Sequence, residues 1–104
     1  MELITIKTNY GRKLTEAFKR MQSARAKTVR LKDKDGFDGI NIQVHTEDSK
    51  KYGWNPQTWW VTKIGCNSFG IEVLVNNTEW TAIEQLSPQQ QLRIANAIDW
   101  STLN

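Results

Sequence analysis

Apolar positions between Arg12 and Ala24 recur at steps of three and four. Leu14, Ala17, Phe18, Met21 and Ala24 fall on one side, with Arg12, Lys13, Glu16, Lys19 and Arg20 on the others. That spacing predicts an amphipathic helix with one buried stripe. Before it, Leu3-Ile4-Thr5-Ile6-Lys7 is short, β-branched and alternating, and predicts a strand ended by Asn9-Tyr10-Gly11. After it the period changes to two. Lys27 to Lys32 alternates so that Val29 and Leu31 face the core, and Ile40 to Val44 alternates again. The stretch between them, Asp33 to Gly39, is dense in turn formers, which predicts that the two strands pair as a hairpin.

Thr46 to Gln57 loses periodicity and reads as a long irregular segment. A second hairpin is expected after it: Thr58 to Ile64, a turn at Gly65-Cys66-Asn67-Ser68, and Phe69 to Val75 with Phe69, Ile71, Val73 and Val75 on one face. Asn76-Asn77 closes it. Thr81-Ala82-Ile83-Glu84 and Ser87-Pro88-Gln89-Gln90 both have the form of a capping box, so two helices, one of them short, are predicted. In the second, Ile94, Ala95 and Ile98 share a side with Leu92 adjacent, which suits packing on a sheet. No repeat or linker interrupts the chain. The expected fold is a single α+β domain over residues 1–104, with a mainly antiparallel sheet of four to five strands, an N-terminal amphipathic helix and one or two C-terminal helices.

Composition agrees with one folding unit: 104 residues, 38% hydrophobic and including five Trp, can build one core. No apolar run approaches the roughly 18 to 20 residues that cross a bilayer. The start Met1-Glu2-Leu3-Ile4 lacks the charged and apolar regions of a signal peptide. A cytoplasmic protein with no membrane partner is therefore expected. Cys66 stands alone, which excludes disulfide-stapled scaffolds and cysteine-rich zinc sites, and the single His45 excludes a multi-histidine metal site. No metal and no cofactor are expected.

Charge is uneven. Residues 1–34 hold ten Lys or Arg against three acids, a local +7, while residues 35–104 sum to −4 and return the total to +3. A basic face concentrates polyanions. Arg12, Lys13, Lys19 and Arg20 on the helix, beside Arg30 and Lys32 on the following strand, are the candidate phosphate contacts of a nucleic-acid-binding surface, provided helix and strand share a side.

The second constellation is the Trp-rich stretch Lys50-Lys51-Tyr52-Gly53-Trp54-Asn55-Pro56-Gln57-Thr58-Trp59-Trp60. Aromatic faces beside lysines are what single-strand platforms use, and Trp and Tyr are equally the anchors of protein interfaces. Lys50, Lys51, Tyr52, Trp54 and Trp59 are the candidate partner contacts here. Trp59 and Trp60 point to opposite faces of one strand, and Trp54, beside Gly53, is the Trp expected to be most exposed.

Catalytic chemistry finds little footing. Asp33, Asp35 and Asp38 do not fit a calcium loop, because the fifth, sixth and twelfth positions are Phe37, Asp38 and Val44. His45 and Cys66 are the one thiol–imidazole combination, with no spacing that brings them together. No Gly-rich phosphate loop, HExxH or nucleophile elbow occurs. The sequence thus predicts a non-enzymatic binding module, with nucleic acid as the leading partner through the basic helix and strand. A protein-interaction or inhibitor domain anchored by aromatics in 52–60 is the alternative, and an enzyme of unknown class a distant third.

Overall fold

The structure, a computed structural model, describes residues 10–67 and 70–102. The amphipathic stretch forms α1, Arg12–Ser23, and buries Leu14, Ala17, Phe18 and Met21 as the spacing predicts. Ala24 caps the helix and is exposed, and Arg25, at φ 55°, turns the chain out of it. Five strands follow: β1, Thr28–Arg30; β2, Ile40–Val44; β3, Gln57–Asn67; β4, Gly70–Val75; and β5, Glu79–Ala82. All their pairings are antiparallel, and with α2, Glu47–Tyr52, and α3, Pro88–Asn96, they make the expected α+β fold. The strand predicted at Leu3 to Lys7 lies outside the described residues, as does Phe69.

β1 and β2 do not pair with each other. Both pair with β3, end to end on the same side of it: Val29 opposes Ile64 and Arg30 opposes Lys63, then Ile40 opposes Val61 and Val44 opposes Gln57. β3 runs through the predicted turn at Gly65-Cys66-Asn67, and its 11 residues are long enough to take both partners. The turn formers of 33–39 close on themselves instead. The Asp33 carboxylate accepts the amides of Asp35 and Phe37, both at 2.9 Å, Asp33 N–H donates to the Phe37 carbonyl, and Gly39 N–H returns to the Leu31 carbonyl at 2.9 Å. Opposite this excursion β3 bulges at Thr62, between the register pairs of Val61 and Lys63 with β4. One extra residue resets the alternation, so Trp59 and Val61 before it and Ile64 and Cys66 after it all turn to the core side.

α1 and α3 cover one face of this sheet. Val29, Ile42, Val61, Ile64 and Val73 pack with Leu14, Phe18 and Met21 of α1 and Ile94 of α3 in a single apolar core. Each fully buried aliphatic or aromatic side chain there is worth about 1.5–3 kcal/mol of transfer free energy. The sheet edge is closed by polar contacts. Arg93 donates to the Asn41 carbonyl at 2.7 Å and the Gln90 amide donates to the Gln43 carbonyl, both on β2. Lys32 N–H donates to the Ala97 carbonyl at 2.8 Å and Asp99 N–H to the Arg30 carbonyl at 2.9 Å, so the chain after α3 shields β1. Unpaired strand edges invite association, and these contacts remove that invitation.

Two further predictions are corrected. Thr81 caps nothing: it is buried in β5 opposite Val73, and the 3₁₀ turn Ile83–Gln85 starts at Ala82 without a side-chain cap. Asn76 and Asn77, at φ 52° and 59°, make the tight turn that brings β5 back along β4. The 46–57 stretch contains α2, started by Thr46 accepting the Ser49 amide at 3.0 Å and stopped by Gly53 at φ 69°. Ser87, by contrast, caps α3 as predicted. Its hydroxyl accepts the Gln90 amide at 3.3 Å, and the Gln90 side chain accepts the Ser87 amide at 2.9 Å. Among the described residues no helix is long and apolar enough to cross a membrane.

Candidate functional site

The sheet face opposite α1 and α3 is not covered by any helix among the described residues. Strand register writes its composition. Arg30 opposes Lys63, Lys63 opposes Leu74 and Leu74 opposes Trp80, so one row across β1, β3, β4 and β5 reads cation, cation, aliphatic, indole. Trp60, opposite Asn41, adds a second indole on the same face. Both rings lie against glycine. A Cβ on Gly65 would meet the Trp80 ring at 3.1 Å, and one on Gly39 would strike the Trp60 ring, whose Nε1–H donates to the Asp38 carbonyl at 3.3 Å. Aromatic side chains laid over glycines cover backbone that would otherwise be bare. Each still leaves about two-fifths of its surface to solvent, 41% for Trp60 and 42% for Trp80.

The charges here are uncommitted. Arg30, Lys63 and Asp38 have no ion-pair partner within 4.0 Å among the described residues, and with Trp60, Thr62 and Asn77 they line a recess of about 190 Å³. Thr62 donates its hydroxyl to the Asn77 side-chain oxygen at 3.1 Å, which fixes that wall. Lys32 is engaged, 3.9 Å from Asp99. The Asp99 carboxyl is held below the usual carboxylate range, first by the Ser101 hydroxyl donating at 2.6 Å, then by the Ser101 amide and the Lys32 charge. A larger recess of about 320 Å³ bordered by Gln57, Trp59, Asn76, Glu79 and Gln85 contains no cation.

The basic helix and basic strand predicted from the sequence do not merge into one surface. α1 packs on the face to which Val29 and Leu31 point, so alternation sends Arg30 and Lys32 to the other side of the sheet. On the helix, Arg12 pairs with Glu16 at 3.2 Å, Lys13 donates to Asn96 at 2.8 Å, and the Arg20 guanidinium lies 4.2 Å over the Trp100 ring. Lys19 is exposed.

The 50–60 segment divides. Tyr52 and Trp54, both 58% exposed, stack at 5.2 Å with 28° between ring planes where α2 ends, and the Lys51 ammonium lies 5.3 Å over Tyr52. Lys50 is exposed on the same helix. Trp54 is the most exposed of the described Trp residues, as expected. Trp59 turns to the core side, half-buried, and donates to Gln57 at 3.3 Å, so Trp60 is the member of that pair on the open face. Sequence reasoning did not single out Trp80 or Lys63; it named Trp60 only as the opposite-facing neighbour of Trp59 in the Trp-rich stretch, and Asp38 only in a calcium loop that does not fit. Alternation around Glu79-Trp80-Thr81 carries the signal for Trp80 once that stretch is read as a strand.

His45 follows β2 at the Gln57 end of β3, and Cys66 sits at the other end, so no thiol–imidazole pair forms. The Cys66 thiol, whose S–H donates to the Ala26 carbonyl at 3.7 Å, is pushed up by burial, the reverse of nucleophile activation. Among the described residues no cluster of three His, Cys, Asp or Glu could hold a metal. No protein-family model, curated protein or solved structure matches this chain.

Proposed function

We propose that this chain is a small non-catalytic binding module that takes single-stranded nucleic acid on its open sheet face. The observation that carries the reading is the cross-strand row Arg30–Lys63–Leu74–Trp80 with Trp60 beside it. Unpaired bases stack on aromatic faces for about 1–3 kcal/mol each, and cations track the phosphates between them. A duplex hides its base faces and offers such a surface phosphates alone. The helix cations on the far side add long-range attraction that salt screens.

Titration of the native Trp emission with a single-stranded oligonucleotide and with a duplex, at low and moderate salt, tests this. Saturable quenching by the single strand, weakened by salt and lost in Trp60→Ala and Trp80→Ala variants that melt cooperatively, is the expected result. No response at low salt overturns it. A second reading, a protein-interaction domain, is favoured by the exposed Tyr52–Trp54 stack. In that case Trp54→Ala, which keeps the fold, abolishes partner capture that is insensitive to salt.

A further inference from the structure

We infer that the recess beside Trp60 reads one base of a bound single strand and prefers guanine over thymine or uracil; this rests on the single-strand reading above. Three features of the recess converge on it. The exposed part of the Trp60 indole supplies a stacking surface. Arg30 and Lys63, adjacent in register and without ion-pair partners among the described residues, supply two cations for the flanking phosphates. Asp38 supplies a carboxylate in a wall that otherwise favours anions.

That carboxylate decides the base. An ionised Asp accepts hydrogen bonds and donates none. Guanine presents two adjacent donors on its pairing edge, N1–H and the N2 amino group, which match the two carboxylate oxygens. Thymine and uracil present one N–H between two carbonyls, and those carbonyls are repelled by the carboxylate. Bases splayed from a single strand are read on this edge. The position is also held in place. The Asp38 backbone carbonyl is bonded to the Trp60 indole, and Gly39 next to it returns its amide to Leu31, so the backbone that carries the carboxylate is tied to the stacking ring.

The test is fluorescence anisotropy of a short labelled oligothymidine against the same strand with guanines at its centre, using the full chain at low salt. The guanine strand is expected to bind about tenfold tighter, the discrimination that a bidentate contact provides. Asp38→Asn is expected to erase that difference while leaving oligothymidine binding in place. The Trp60 bond is to the Asp38 backbone, so the substitution keeps the ring seated, and a melting curve checks this. Equal binding of the two strands by the native chain overturns the inference and leaves the single-strand reading standing. A preference retained by Asp38→Asn also overturns it. Binding of neither strand overturns both and leaves the face to a protein partner.

Discussion

The indole of Trp60 lies over Gly39, and only glycine lets it. Gly39 has φ +89°, and a Cβ there would strike the ring and approach the Val61 carbonyl at 3.0 Å. Two penalties combine, one for the left-handed backbone and one for the displaced indole. Gly39→Ala is therefore expected to destabilise the fold by about 1–3 kcal/mol. It should also shift Trp emission as Trp60 lifts off the sheet. Gly65→Ala, whose φ is ordinary and whose nearest neighbours stand at 3.1 and 3.2 Å, should cost less. Thermal melts of the two variants decide the order, and equal Tm values would show that Trp60 is not seated by Gly39.

Gln90 joins the start of α3 to the edge of the sheet. Its side-chain oxygen accepts the Ser87 amide while its side-chain N–H donates to the Gln43 carbonyl. Ser87→Ala removes the cap alone and is expected to cost about 1 kcal/mol. Gln90→Ala removes cap and edge contact together and should cost more, with faster amide exchange along β2. Chemical denaturation of both variants, with hydrogen exchange on the second, is the measurement. A Ser87→Ala chain as stable as the native one contradicts the capping geometry.

What the sequence discloses here is what is local. The stripe Leu14, Ala17, Phe18, Met21 and the Ser87 box are properties of a few adjacent residues, and both are found where periodicity and capping chemistry put them. α2 was missed because six residues carry no apolar stripe, although Thr46 and Gly53 mark its two ends. The failure to pair β1 with β2 is different in kind. Both segments alternate correctly, yet which strand each joins depends on the length of β3 and on the Thr62 bulge, and neither is encoded within the strands concerned. The same holds for the candidate site. Arg30 was visible as a cation, but its place beside Lys63, with Leu74 and Trp80 in the same row, is a fact of register across four strands.

Asp99 ties the C-terminal segment to β1 in a pH-dependent way. Its carboxyl accepts from the Ser101 hydroxyl and amide and faces Lys32, which together hold its pKa below the usual value. A group depressed in the folded state contributes stability above its unfolded pKa and loses it as pH falls through the folded one. Acidification below the ordinary carboxylate range should thus loosen residues 97–102 before the core melts. Trp100, which holds Arg20 over its ring, reports the change by emission. Asp99→Asn should flatten that acid response, and an unchanged response in this variant would assign it to another carboxylate.

Two double charge reversals separate the helix side from the open face. Lys19→Glu with Arg20→Glu and Arg30→Glu with Lys63→Glu each subtract four charges, taking the formal net from +3 to −1. Their effects on net charge are therefore equal, and at about 0.1 M salt long-range effects fade over roughly 10 Å. Contact effects differ. If phosphates sit beside Arg30 and Lys63, removing both lowers the slope of log affinity against log salt by about 0.7 for each lost contact, roughly 1.4 in all. The helix pair should leave that slope near its native value, apart from a small loss of stability where Arg20 leaves Trp100. Anisotropy titrations of one single-stranded oligonucleotide across a salt series measure both slopes. A slope that falls with Lys19 and Arg20 and holds with Arg30 and Lys63 would move the phosphate-binding surface to α1.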